Sequence, residues 1–263
     1  MALGRPLVMG ILNVTPDSFS DGGQFLNATR AITHAAEMAK QGADILDIGA
    51  ESTRPYGGAE AVPAGDEMER LKPVLPAVVE LGVPVSVDTI KAEIARWALD
   101  QGAQIVNDVW GLQRDPAMAP LVAERGVPVI VMANRERADP ALDIIAEVTA
   151  FFSRSLEIAA RAGIATNKIV LDPGIGFGKT AEQSMICIAR LSEFKQFGLP
   201  LLIGASRKRF INTITPSQPS ERIGGSIAGH VLAVENGARI VRVHDVAETV
   251  QALRVAAAIR GAQ

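Results

Sequence analysis

Gly82-Val83-Pro84-Val85-Ser86-Val87-Asp88-Thr89 carries the fold of this chain in miniature. A glycine closes the preceding segment, a short apolar run follows, and the run breaks on a carboxylate. Glycine takes the left-handed C′ conformation at little cost, so it marks where a helix stops. The same opening recurs at Gly42-Ala43, Gly102-Ala103, Gly126-Val127-Pro128, Gly198-Leu199-Pro200 and Gly237-Ala238. Eight apolar runs result: 7–12, 45–48, 83–87, 104–106, 127–131, 169–171, 201–203 and 239–243. At or just past their ends stand Asn13, Asp47 and Glu51, Asp88, Asn107 and Asp108, Asn134, Asp172, Ser206 with Arg207 and Lys208, and His244.

The runs are continuously apolar rather than alternating, as strands covered on both faces are. Amphipathic segments separate them. Ile90, Ile94, Ala98 and Leu99 fall on one helical face, and Leu142, Ile145, Val148, Phe152 and Leu156 on another. Strand and helix in alternation imply a parallel sheet with right-handed crossovers. Five or six units would suit an open sheet; eight imply closure. The expected fold is therefore α/β, a single (β/α)8 TIM barrel over residues 1–263, in keeping with the ~250 residues such a barrel takes. Closure would gather every polar strand end at one mouth. Two connections, 13 to 26 and 49 to 65, exceed plain turns and would overhang that mouth as binding loops.

Bulk properties narrow the function. Charged residues make up 21% and the net charge is −3, which argues against a dedicated nucleic-acid binder. Cys187 is the only cysteine, so no disulfide framework is expected. No signal-peptide layout or membrane-spanning stretch is seen, and the cytoplasm is the expected location. His34 and His230 fall in helices away from the mouth, where packing or surface roles are expected. The glycines of Gly174-Ile175-Gly176-Phe177-Gly178-Lys179 lack the spacing of a nucleotide-binding P-loop, so an NTPase is rejected.

Asn13-Val14-Thr15-Pro16-Asp17-Ser18-Phe19-Ser20-Asp21-Gly22-Gly23 forms the first long loop, and the second begins Gly49-Ala50-Glu51-Ser52-Thr53-Arg54-Pro55. Downstream come Ser86-Val87-Asp88-Thr89, Asn107-Asp108, Asp172-Pro173-Gly174-Ile175-Gly176-Phe177-Gly178-Lys179, Ser206-Arg207-Lys208 and Arg242-Val243-His244-Asp245. In order and position these motifs resemble the dihydropteroate synthases of folate biosynthesis over essentially the whole chain. The resemblance implies a transferase that joins 6-hydroxymethyl-7,8-dihydropterin diphosphate to p-aminobenzoate with loss of pyrophosphate. It implies Mg²⁺ as cofactor and a homodimer through helices on the far side of the barrel.

The residues suit that chemistry. A pterin presents an edge of donors and acceptors, and Asp88, Asn107 and Asp172 stand at strand ends where their oxygens can read it. The bland alternative is that Asp172 only caps the turn before Pro173. Barrels often bind phosphate after their seventh and eighth strands. By resemblance Arg242 and His244 hold the pyrophosphate with Asn13 and Thr53, while Asn13 and Asp21 are the Mg²⁺ ligands. Left open are an ion pair of Arg242 with an acid such as Asp245, and His244 as a strand-end cap. The resemblance also implies that Met132 packs on the pterin and that Lys208 touches it. The p-aminobenzoate site is expected from Phe19, Arg54, Pro55, Phe177, Lys208 and Arg209; Phe19 could equally be plain hydrophobic closure. Asp88, Asp172, Lys208 and Asp21 are the expected catalytic set. Arg207 points away from Lys208 and is structural.

Three departures stand out. Met132-Ala133-Asn134 replaces Met-His-Met, Arg209 occupies a place where serine is frequent, and Tyr56-Gly57-Gly58 enlarges the second loop. Sulfonamides resemble p-aminobenzoate, so Arg209 bears on the response to them. Two rival readings remain: a pterin-binding methyltransferase domain serving a corrinoid, and a catalytically silent pterin-binding paralogue.

Overall fold

The computed structural model describes residues 5–14, 24–51 and 62–262, with 24–26 described by backbone alone. Eight strands appear where the apolar runs predict them: β1 (Leu7–Asn13), β2 (Ile45–Gly49), β3 (Val85–Asp88), β4 (Ile105–Asp108), β5 (Val129–Met132), β6 (Ile169–Asp172), β7 (Leu202–Ile203) and β8 (Ile240–Val243). Every pairing is parallel, in the order β6-β5-β4-β3-β2-β1-β8-β7. A bridge from Leu171 to Leu201 joins the two ends, so the sheet closes on itself.

Helices return the chain between strands. They are α1 (Gln24–Gln41), α2 (Ala64–Leu71) with α3 (Leu75–Val79), α4 (Ala92–Asp100), α5 (Met118–Arg125), α6 (Ile144–Ala162), α7 (Ala181–Ala189), α8 (Arg209–Ile214) with α9 (Ile223–Glu235), and α10 (Val246–Gly261). The six glycines that open the strands all have positive φ, from 62° at Gly126 to 113° at Gly237. Two expected helical residues lie just outside. Ile90 precedes α4 and packs at the mouth beside Val109, Met132 and Phe177. Leu142 precedes α6, whose N-cap Asp143 accepts from the backbone of Ile145 and Ala146. In both places the apolar period runs past the residue at which the backbone turns.

The period of two along each strand decides which residues see the barrel interior. Leu46, Ile48, Val85, Val87, Val106, Val129, Val131, Leu171, Val241 and Val243 face outward into the helical layer. Met9, Ile45, Ile130, Leu202 and Ile240 face inward and pack on one another, joined by Leu7, Ile105 and Val170. This apolar plug closes the barrel floor. One inward step higher come Asp47, Asp88, Asn107, Met132, Asp172 and Arg242. The polar layer is thus placed by strand parity above a dry floor. No helix among the described residues is long and apolar enough to cross a membrane.

Candidate active site

Arg242 on β8 sits between two carboxylates. Its Nε donates to Asp47 Oδ2 at 2.5 Å and its Nη2 to Asp88 Oδ2 at 2.6 Å. Asn107 Nδ2 donates to the same Asp47 oxygen at 3.1 Å. Strands β2, β3, β4 and β8 are therefore tied across the barrel by one buried network. Asp47 is completely buried, and Asp88 and Asn107 nearly so. Asp47 Oδ1 and Asp88 Oδ1 are buried without a partner among the described residues. Buried acceptors are normally satisfied, so a ligand donor is the expected complement.

Electrostatics follow from two acids sharing one cation. Burial lifts the Asp88 carboxyl well above its ordinary range; Arg242 opposes the rise and Asp47 adds to it. Burial works against the Arg242 charge, but Asp47 and Asp88 hold its pKa above the ordinary arginine value. Burial thus leads for Asp88, whereas for Arg242 the two neighbouring acids outweigh it. Asp172 is lifted to about 6 by burial, against the pull of the Gly174 N–H, Lys208 and Arg242. Asp172 and Arg242 thus act on each other across the barrel.

The loop after β6 builds the next wall. Asp172 Oδ1 accepts from Gly174 N at 2.7 Å, which fixes the carboxylate and leaves Oδ2 outside that bond. The capping reading of Asp172 is thereby true, and it coexists with the inward aim. Gly174 has φ 70°, and a Cβ there would lie 2.1 Å from the Ala133 carbonyl oxygen, so only glycine fits. Buried Lys179 donates from Nζ to Ala133 O (3.0 Å) and Phe177 O (3.1 Å), locking this loop to the one after β5. Burial pushes its pKa down to about 8. Phe177 packs with Met132 and Val109, and the Lys208 ammonium lies 4.0 Å from its ring centre. That is a cation–π contact beside Asp172.

On the far wall, Ser206 Oγ and His244 Nδ1 are 2.9 Å apart, and His244 N donates to Ser206 Oγ at 3.2 Å. Arg207 turns away to Asp245, with bonds of 2.6 and 3.1 Å, and is structural as expected. Asp245 is therefore not the acid that holds Arg242; Asp47 and Asp88 are. Arg209 heads α8 and is exposed. Asn13 ends β1, half-buried, in register with Gly49. Phe19, Asp21, Thr53, Arg54 and Pro55 lie outside the described residues.

The structure brings Asp88, Asn107, Met132, Asp172, Phe177, Lys208, Arg242 and, through Ser206, His244 to the mouth side of one barrel. Asp47 joins them, a residue the sequence reading placed at a strand end but gave no role. Its signal was available: a lone acid between outward Leu46 and Ile48 must face the axis. Asp108 faces outward instead and accepts from the backbone of Trp110 (2.8 Å) and Leu112 (2.7 Å), a structural role. His34 is exposed and Cys187 is buried on α7, as expected; His230 is buried on α9 but against the loop after β7, where its Nε2 accepts from Ala205 N, so it is not remote from the mouth.

A barrel with acids on its middle strands and cations on its last two defines a class of enzyme that reads a heterocycle carrying an anionic tail. The chain belongs to the pterin binding enzyme family, whose model matches residues 9–244. It is 47% identical over 243 residues to the dihydropteroate synthase of Bacillus subtilis, covering 92% of this chain and 84% of that one. Its structure superposes with a TM-score of 0.93 on the Xanthomonas albilineans dihydropteroate synthase with 4-aminobenzoic acid, 44% identical, over 98% of this chain and 94% of that one. The same enzyme in complex with 7,8-dihydropteroate gives a TM-score of 0.90 at 42% identity, over 99% and 95% of the two chains.

Proposed function

We propose that this chain condenses 6-hydroxymethyl-7,8-dihydropterin diphosphate with p-aminobenzoate, giving 7,8-dihydropteroate and pyrophosphate. The observation that carries the reading is the layer of inward-facing acids on β3 and β6 that act on the Arg242 guanidinium of β8. Asp88 Oδ1 lacks a donor, Asp172 stands across the mouth, and Arg242 lies between the two in charge.

The pterin edge donates N–H groups to Asp88 and Asp172, with Asn107 beside them. Donors from the ring replace the water these carboxylates have lost, so ionised acids held in a dry pocket gain strongly from them. Met132 and the Lys208–Phe177 pair cover the ring faces. The diphosphate points towards His244 and Arg242, whose Nη1 takes part in neither carboxylate bond. The bond from the pterin methylene carbon to the diphosphate oxygen breaks, and its electron pair leaves with pyrophosphate. Positive charge on the methylene spreads into the ring and is stabilised by Asp88 and Asp172. The neutral amine of p-aminobenzoate forms the new C–N bond and loses a proton. The protein contributes position and charge rather than an activated base.

Phe177, Lys208 and Arg209, with Phe19, Arg54 and Pro55, are our candidates for the p-aminobenzoate site, where sulfonamides would compete. Mg²⁺ belongs to this reading, with Asn13 and Asp21 as its protein ligands and Thr53 beside the diphosphate. No cluster of three His, Cys, Asp or Glu suited to a metal occurs among the described residues. Mg²⁺ does not require one, since it binds through one or two protein oxygens plus phosphate oxygens and water. When bound it neutralises charge on the leaving diphosphate. A homodimer is also part of the reading. Leu232 on α9 and Val255 and Ile259 on α10 are exposed on neighbouring helices and suit a partner. A cytoplasmic location agrees with the single, buried, unpaired Cys187.

A coupled pyrophosphate-release assay tests the proposal. Release that requires both substrates supports it. Tight pterin binding without release would favour a silent paralogue, and methyl transfer to a corrinoid would favour the third reading.

A further inference from the structure

Strand β7 is only two residues long, and the chain leaves the sheet at Gly204. The next four residues, Ala205 to Lys208, carry Ser206 towards His244 and Lys208 towards Phe177 and Asp172. Having left the sheet, their backbone groups need other partners, because a buried unpaired N–H is costly. Arg207 adds a difficulty: its φ is 56°, a left-handed conformation that any side chain resists.

Helix α9 and its N-cap Arg222 supply the partners at a spacing of four residues. His230 Nε2 accepts from Ala205 N at 3.3 Å. Ser226 Oγ accepts from Arg207 N at 2.8 Å and donates to Arg222 O at 2.7 Å. Arg222 Nη1 donates to Arg207 O at 3.0 Å. Residues four apart share one helical face, so Arg222, Ser226 and His230 form a polar ladder along the loop. Two glycines interleaved with them let the helix approach. A Cβ on Gly225 would meet Ile211 at 2.5 Å, and one on Gly229 would meet Ala205 Cβ at 3.2 Å. The Arg207 side chain completes the frame through Asp245, next to His244.

We propose that Arg222, Ser226 and His230 are positioning residues that hold the loop after β7 in its working conformation and so set the places of Ser206 and Lys208. His230 must accept, hence stay neutral, and burial keeps it so. None of the three is bonded to Ser206 or Lys208; each acts through the backbone of Ala205 or Arg207, which flank Ser206. This inference rests on the proposed condensation for the meaning of the loop, not for the loop's geometry.

The test compares Ser226→Ala, His230→Leu and His230→Gln with the parent chain, alone and with Lys208→Ala. A glutamine Oε1 lies close to where histidine Nε2 lies and can take the Ala205 N–H. Ser226→Ala and His230→Leu are expected to lower kcat for pyrophosphate release by about tenfold, with His230→Gln close to the parent. Combined with Lys208→Ala, the same changes should cost far less, because the group they position has gone. Equal losses in both backgrounds, or no loss of kcat, would overturn the proposal. Amide hydrogen exchange gives a readout free of substrate: Ala205 and Arg207 should exchange about tenfold faster in Ser226→Ala and His230→Leu. Unchanged exchange there also overturns it. A parent chain that releases no pyrophosphate while these amides respond as expected would sink the proposed condensation and leave the ladder standing.

Discussion

Arg242 crosses the barrel mouth from β8 to donate to Asp88 on β3, 2.6 Å away and 154 residues distant in sequence. Its second bond, to Asp47, puts two carboxylates on one guanidinium. Burial is the first cause of the raised Asp88 carboxyl, and the Asp47 charge adds to it against the pull of Arg242. The same bonds hold Arg242 in place before any diphosphate arrives.

Replacing Asp47 with Asn removes the like charge and frees part of Arg242 for Asp88. Both changes lower the Asp88 pKa. Ionised Asp88 is the form that accepts from a pterin, so binding weakens as pH falls through that pKa. In Asp47→Asn the acid limb of pterin affinity should move down by on the order of one pH unit, read by calorimetry across a pH series. An unmoved limb would mean that Asp88 does not sense Asp47.

Gly174→Ala should be severely destabilising. The new methyl meets the Ala133 carbonyl at 2.1 Å, and φ is 70°. Both faults fall on the turn that fixes Asp172. A loss of roughly 3 kcal/mol is expected in denaturant unfolding. Gly65, which would meet nothing within 4 Å, is the control: its alanine should cost little.

His230 gives the stability curve an acid slope. Burial lowers its pKa to about 4 from an ordinary 6.5, against a smaller opposing pull from Asp245, which is itself paired with Arg207. The folded state holds His230 neutral, so between these values the unfolded chain binds more protons. Its contribution is complete above pH 6.5 and is lost as pH falls towards 4, amounting to roughly 3 kcal/mol in full. Asp172, raised to about 6, contributes with the opposite sign, being lost as pH rises. The difference between the parent and His230→Gln isolates the histidine. The stability of the parent relative to His230→Gln should fall steadily as pH drops from 6.5 to 4, measured by urea unfolding at each pH.

Most of the barrel was legible because strand and helix signals agree: apolar β-branched runs, a positive-φ glycine before them and a polar residue after. Asp88, Asn107 and Asp172 were legible for the same reason, as strand ends, whereas Arg242 lay inside its run and was read from the resemblance. The failures share a different cause. Ile90 and Leu142 fit a helical period yet precede their helices, since periodicity carries no mark of where the backbone turns. The partner of Arg242 was sought in its sequence neighbour Asp245, but parity sends Arg242 inward and Asp245 binds Arg207 outside. Which acid lies across a barrel depends on closure, and no local pattern encodes it. The ladder of Arg222, Ser226 and His230 was invisible for a similar reason. Its spacing reads as an ordinary helix face until the loop it grips is in place.

The central claim is that acids of the middle strands and cations of the last two share one cavity that takes a pterin diphosphate. Calorimetric titration of 6-hydroxymethyl-7,8-dihydropterin diphosphate into the parent chain and into Asp172→Ala bears on it most directly. Asp172→Ala should keep its thermal transition and lose pterin diphosphate affinity by about a hundredfold or more. Unchanged affinity in a folded Asp172→Ala would contradict the account.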